Sequence, residues 1–169
     1  AKEVAYLPQQ LPAATALTAR ELVMMGRYAW SGLLGRTNDA DRQAVEQALR
    51  LTHTEKFADQ IVDTLSGGER SRVWLAMCLA QQSRFLLLDE PFNAVDAKTT
   101  YALLEVLAAC HTEGRAVIAV LHDYEQVRAY FADTLLLARE KIAAGATEAV
   151  LTEEYLRQAD AAMQRHGSA

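Results

Sequence analysis

The chain has 169 residues, 51% of them hydrophobic and 23% charged, with a net charge of −5. That length is enough to bury a core, and the composition excludes disorder as the default reading. The acidic balance argues against a non-specific nucleic-acid binder, which needs a basic surface to displace counterions. It leaves nucleotides open, because backbone N–H groups and magnesium hold phosphate without such a surface.

In chain order, residues 4–7 form a short apolar run stopped by Pro8 and read as a strand. Residues 18–25 look helical, with Thr18-Ala19-Arg20-Glu21 as a capping box. Residues 28–36 carry glycine and serine and read as a loop. Residues 41–51 are amphipathic, with Val45, Ala48, Leu49 and Leu51 on one helical face. Ser66-Gly67-Gly68-Glu69 is a second capping box, opening a helix to about Gln82. Phe85-Leu86-Leu87-Leu88 is a continuous apolar run ending in acid, as expected of a strand buried on both faces. A helix follows from Asp96 or Ala97 to about Glu113, then a second buried strand at 116–121. A short helix at 125–131, a third strand at 134–138 and a final helix at 152–164 complete the pattern, with Gly167-Ser168-Ala169 as a tail. Strands alternating with helices predict an α/β fold with a parallel sheet.

Cys78 and Cys110 have neither CxxC spacing nor a histidine cluster, and read as buried apolar residues of a reducing compartment. The apolar runs are strand-sized, and Ala1-Lys2-Glu3-Val4 does not read as a signal peptide. The expectation is a soluble chain whose membrane role comes through a partner. His53, His111 and His166 lack ligand spacing and read as surface residues. Trp74 reads as core, and Trp30 as a loop aromatic able to meet a partner helix.

In a doubly wound sheet, ligands gather at the carboxyl ends of the strands. Asp89 and Glu90 end one apolar run, and His122 ends another. An Asp at such a place is suited to Mg2+, directly or through water, and the next Glu to polarising a water. The serine hydroxyl and glycine amides of residues 66–68 sit at a helix start, where the dipole and close backbone approach favour phosphate. Taken alone, the acid pair also fits a plain strand cap, and the tetrapeptide a plain N-cap.

Leu65-Ser66-Gly67-Gly68-Glu69, with Arg72 following, resembles the signature of ABC-type ATPases. Residues 85–90 look like Walker B plus the catalytic glutamate, Ala94-Val95-Asp96 like the D-loop, and Leu121-His122-Asp123 like the H-loop. Tyr6-Leu7-Pro8-Gln9 matches the Q-loop, so five motifs fall in the family's order. The resemblance implies a P-loop NTPase-like parallel sheet with an inserted helical subdomain. It also implies ATP and Mg2+ as cofactors, with Asp89 and Gln9 at the metal and Glu90, His122 and Gln9 as the catalytic set. Ser66, Gly67, Gly68 and Glu69 would hold ATP bound by a second subunit, and Asp96 would be the D-loop acid. Glu69 stands where glutamine is commoner.

No GxxxxGK[ST] occurs in the sequence. The reading is therefore one partial ABC ATPase domain, truncated at its N-terminus and inactive alone. Residues 1–9 would end the N-terminal part, 10–82 form the helical subdomain and signature helix, 83–146 the α/β core, and 147–169 a C-terminal helix. The short interval between Gln9 and Ser66 disfavours coiled-coil ABC proteins, while repair and translation types stay as a further class. Asp89-Glu90-Pro91-Phe92-Asn93-Ala94-Val95-Asp96 with Thr99-Thr100 resembles the zinc/manganese-import type, as do residues 135–140 and 147–152. Tyr28-Ala29-Trp30 and Leu33-Leu34-Gly35-Arg36 are similar to ferric-siderophore and haem importers, the second reading. Expected partners are an ABC permease, a second ATPase subunit and, indirectly, a substrate-binding protein, with no nucleic acid. The expected place is the cytoplasmic face of the inner or plasma membrane. A non-catalytic ABC-like module is the alternative of a different class.

Overall fold

The computed structural model describes residues 2–30 and 37–164. The segment 31–36, which carries part of the expected loop and the Leu33–Arg36 motif, lies outside the described residues, as do His166 and the 167–169 tail. The chain divides into two compact units, Ala1–Val120 and Leu121–Ala169. Their boundary falls inside the segment 83–146 expected as one core.

In the first unit, β1 (Val4–Leu7), β2 (Phe85–Asp89) and β3 (Ala116–Val120) form a parallel sheet in the order β1-β2-β3. Leu7 pairs with Leu88, and Asp89 with Val120. Helices α1 (Ala19–Met25), α2 (Asp39–Leu51), α3 (Gly67–Ala80) and α4 (Ala97–Thr112) accompany it, with short 3-10 turns at Glu55–Phe57 and Val62–Thr64. The side chains of Ala5, Leu7, Leu86 and Leu88 go into the core, which Leu22, Val73, Leu75 and Leu103 share.

The expectation of strands buried on both faces is corrected. Phe85 is 37% exposed, Ile118 61% and Val120 49%, because among the described residues of this unit the core forms against one face of the sheet only. An unbroken apolar run does not by itself tell one covered face from two.

Capping fixes the helix starts. Thr18 and Glu21 close the first box, as the sequence suggests. Helix α2 starts earlier than expected: Asn38 is its N-cap and Asp41 the third helical residue, closing a box of their own. Asp41 also accepts from Arg27 Nε at 2.9 Å, and Arg27 donates to Ala80 O and to Gln82 Oε1. Both ends of that ion pair are buried, so it ties α1 and α2 to the end of α3. The Asn38 backbone N–H, ahead of Arg27, holds the Asp41 carboxyl below its ordinary range.

In the second unit, β4 (Asp133–Ala138) pairs antiparallel with β5 (Glu140–Ala146), flanked by α5 (Tyr124–Tyr130), α6 (Thr147–Val150) and α7 (Glu153–Gln164). The expected third parallel strand is thus half of a hairpin. Arg139, at φ 63, makes the reversal, and the alanine-rich β5 carries little β-propensity to announce itself. Leu136, Ala138, Val150 and Ala159 form this unit's own core. Among the described residues no helix is long and apolar enough to cross a membrane.

Candidate functional site

The register of the sheet places the ends of β1 and β2 side by side. Two residues past Leu7 lies Gln9, and directly after β2 lies Glu90. Gln9 Nε2 donates to Glu90 Oε1 at 2.7 Å. Glu90 holds the left-handed conformation, φ 49, and Ala94 follows it at φ 60. For residues with a Cβ this backbone costs about 1–2 kcal/mol each. Strain of this kind gathers at functional sites. Asn93 N–H donates to Glu90 O and Val95 N–H to Phe92 O, closing a tight turn that leads into α4.

The start of α3 packs against this turn. Ser66 is its N-cap; the Glu69 carboxylate accepts from Ser66 Oγ at 2.7 Å and from Ser66 N–H at 3.0 Å. Those bonds, the hydroxyl first, hold the Glu69 carboxyl below its usual range. Gly68 leaves no room for a side chain, since a Cβ there would stand 2.3 Å from Ala94 O. Ser71 Oγ donates to Asn93 O at 3.3 Å. Asp96 caps α4 by accepting from Thr99 N–H at 3.0 Å, and hydrogen bonds from Thr99, side chain before backbone, lower its carboxyl as well. Between these parts lies a cleft of about 300 Å³, lined among others by Gln9, Gly67, Arg70, Glu90 and Asn93.

Gln9, Ser66, Gly67, Gly68, Glu69, Asp89, Glu90 and Asp96 all belong to the first unit. His122 belongs to the second, exposed and just ahead of Asp123, the N-cap of α5. Sequence reading did not single out Arg70 and Ser71, and named Asn93 only as part of the 89–96 motif. Ser71 stands one helical turn past Gly67, a spacing that puts both on one face and would have flagged it.

The Asp89 carboxylate, half-buried at the strand end, makes no hydrogen bond or ion pair among the described residues. The Gln9 carbonyl oxygen is not used in the bond to Glu90. Two oxygen donors of this kind suit Mg2+, which takes few protein ligands and completes its shell with phosphate and water. No group of three or more His, Cys, Asp or Glu able to hold a metal exists among the described residues. Cys78 and Cys110 are buried, and burial pushes the Cys78 thiol up to about 12. Exposed His53 and His111 and core-packed Trp74 stand where the sequence suggests, while Trp30 is 40% exposed and donates to Gln81 O.

Residues 1–93 match the model of the family described as ABC transporter. A siderophore transport system ATP-binding protein of Bacillus subtilis, described as probable, is 40% identical over 90% of this chain and 56% of its own length. A manganese transport system ATP-binding protein of Listeria innocua is 32% identical over 92% of this chain and 66% of its own length. Among solved structures, an inward-facing ABC transporter described as metal-chelate type superposes with TM-score 0.83 at 28% identity, covering 94% of this chain and 64% of that one. A dimeric bacterial ABC transporter cassette gives TM-score 0.77 at 25% identity, over 86% of this chain and 63% of that one. The chain thus spans between 56% and 66% of the length of these two relatives. With a family model over more than half of its residues and relatives such as the manganese transport protein at 32% identity over 92% of this chain, the chain belongs to the ABC transporter family.

Proposed function

We propose that this chain is part of the ATP-hydrolysing subunit of a bacterial ABC importer that brings in a transition metal. The observation that carries the reading is the Gln9–Glu90 hydrogen bond beside the Ser66–Gly68 turn. It sets an acid–amide pair at the sheet's carboxyl ends, where a γ-phosphate and its attacking water would lie.

In this reading Glu90 accepts the proton of the water that attacks the γ-phosphorus. The bond from that phosphorus to the β-bridging oxygen breaks, and ADP leaves. Gln9 orients the water; for His122, in the second unit, the family resemblance alone suggests a part at the γ-phosphate. Ser66, Gly67 and Gly68 donate to ATP held by a second copy, and Asp96 stands at the contact between the copies. Asp89 and Gln9 would hold Mg2+, which supplies neutralisation of phosphate charge when bound. The dimeric cassette named above supports a dimer, and the relatives' names support a permease and a metal cargo. No GxxxxGK[ST] occurs in the 169 residues, and hydrolysis is proposed of the full-length subunit. In use it lies on the cytoplasmic face of the membrane, against the permease.

For the cargo, the residue motifs favour zinc or manganese, and one named relative serves manganese. A ferric siderophore is the second reading, supported by the higher identity to the siderophore relative. A non-catalytic docking module is the alternative of another class. The test is the full-length protein reconstituted with its permease in vesicles. The proposal expects Mg2+-dependent ATP hydrolysis, ATP-dependent dimerisation and uptake of manganese, zinc or a ferric chelate. Dimerisation without hydrolysis would support the module, and uptake of none of these cargoes would remove metal import.

A further inference from the structure

Arg72 lies on α3 three residues past Glu69, so the two share one face of the helix. Arg72 Nη1 donates to the carbonyls of Thr52, at 3.2 Å, and His53, at 2.8 Å. Those carbonyls stand at the C-terminal end of α2, where the helix dipole favours a cation. His53 holds φ 53 there. The guanidinium also lies over the Phe57 ring, 5.7 Å from its centre. The first turns of α3 are therefore fastened twice. Gly68 and Ser71 meet the 93–95 loop on one side, and Arg72 meets the end of α2 on the other.

The same side chain has an electrostatic place. A phosphate brought to Ser66–Gly68 meets the Glu69 carboxylate one residue on; Asp96, the cap of α4, directly follows the Ala94–Val95 backbone that Gly68 packs against. The Arg72 charge acts on both acids, adding to the stronger hydrogen bonds that Ser66 and Thr99 give them; Lys56 adds to the effect on Glu69.

We propose that Arg72 is a positioning residue for the phosphate-facing turn: it fixes the start of α3 against α2 and offsets the charge of Glu69 where an anion must approach. The inference rests on the reading that Ser66–Gly68 meets ATP. It adds a residue whose work is done through others and which need not touch the nucleotide.

The test uses the full-length protein with R72Q, R72K, E69Q and the R72Q/E69Q double variant. R72Q should raise KM for ATP by about tenfold while kcat stays within about threefold. The double variant should return KM to within about twofold of E69Q, because the acid needing an offset is gone. A merely structural role would leave the double variant as impaired as R72Q, and that result, or an unchanged KM in R72Q, overturns the proposal. R72K keeps the charge but not the two-carbonyl grip, and serves if R72Q does not fold. It should hold KM within about threefold yet exchange the amide hydrogens of Glu69 and Arg70, which are bonded to Ser66, about tenfold faster than wild type without nucleotide. Unchanged exchange overturns the fixing role. A wild-type protein that neither binds nor hydrolyses ATP defeats the functional reading instead, and the nucleotide-free exchange still decides the fixing role separately.

Discussion

Gln9 and Glu90, 81 positions apart in sequence, meet in a hydrogen bond of 2.7 Å from Gln9 Nε2 to Glu90 Oε1. The parallel pairing of β1 with β2 makes that meeting possible, since the chain leaves both strands at the same end of the sheet. The bond occupies one oxygen of the carboxylate proposed as general base and aims it at the loop after β1. Glu90 holds this place with a left-handed backbone, so its position is fixed by the turn as much as by its partner.

Exchanging Glu90 for Gln keeps the shape and removes the base. Steady-state hydrolysis by the full-length protein should fall about 10²–10⁴-fold, with nucleotide binding retained in an equilibrium titration. Hydrolysis at half the wild-type rate would remove Glu90 from the proposed role.

The two glycines of the signature turn should respond differently to alanine. At Gly68 a Cβ meets the Ala94 carbonyl oxygen at 2.3 Å, whereas at Gly67 the nearest atom is Ala94 Cβ at 3.5 Å. Gly68→Ala should destabilise the chain by about 1–3 kcal/mol, as overpacking does, and Gly67→Ala by less than about 1 kcal/mol. Urea denaturation of the two variants gives the comparison directly.

The Arg27–Asp41 pair is buried at both ends. Removing either partner alone leaves a buried charge, and Arg27→Met should cost about 3–5 kcal/mol. Because folding lowers the Asp41 pKa, the unfolded chain takes the proton first on acidification. The stability from this carboxylate is fully present above the usual Asp value of about 3.9 and is lost as pH falls through the depressed value. Asp41→Asn should therefore flatten the acid limb of a stability–pH curve measured by thermal melting. An unchanged limb would show that other carboxylates govern it.

Neither cysteine should react while the chain is folded. Burial raises both thiols, Cys78 to about 12, so at pH 8 the thiolate fraction and the access are both small. Titration with a chromogenic disulfide should find about no rapid thiol in the native chain and two in denaturant. One rapid native thiol would show that one of the two sites opens.

Some of this was settled by local chemistry and was legible in the residues. Thr18 with Glu21 and Ser66 with Glu69 close capping boxes within four residues, so no distant partner was needed to foresee two helix starts. Gly67-Gly68 at a helix start and Asp89-Glu90 after an apolar run each point to phosphate chemistry by the same short-range logic. Asn38 and Asp41 form a third box, missed because the helix was started at the acid instead of at its cap. Family membership, too, was carried by short motifs in order.

Other matters depended on which segments meet, and spacing along the chain does not contain that. The run at residues 134–138 becomes half of an antiparallel hairpin because Arg139 turns the chain and Glu140–Ala146 returns beside it. The open face with Ile118 and Val120 follows from packing against one side only. Arg27 finds Asp41, and Arg72 finds Thr52 and His53, through helix packing that leaves no periodic trace. The sequence by itself determined the family and the groups each motif offers, because caps and strand ends are set by neighbours a few residues away. Only the tertiary structure decided which of those groups share a cleft and which side chains hold them there, because parallel pairing and helix contacts join residues that no local rule connects.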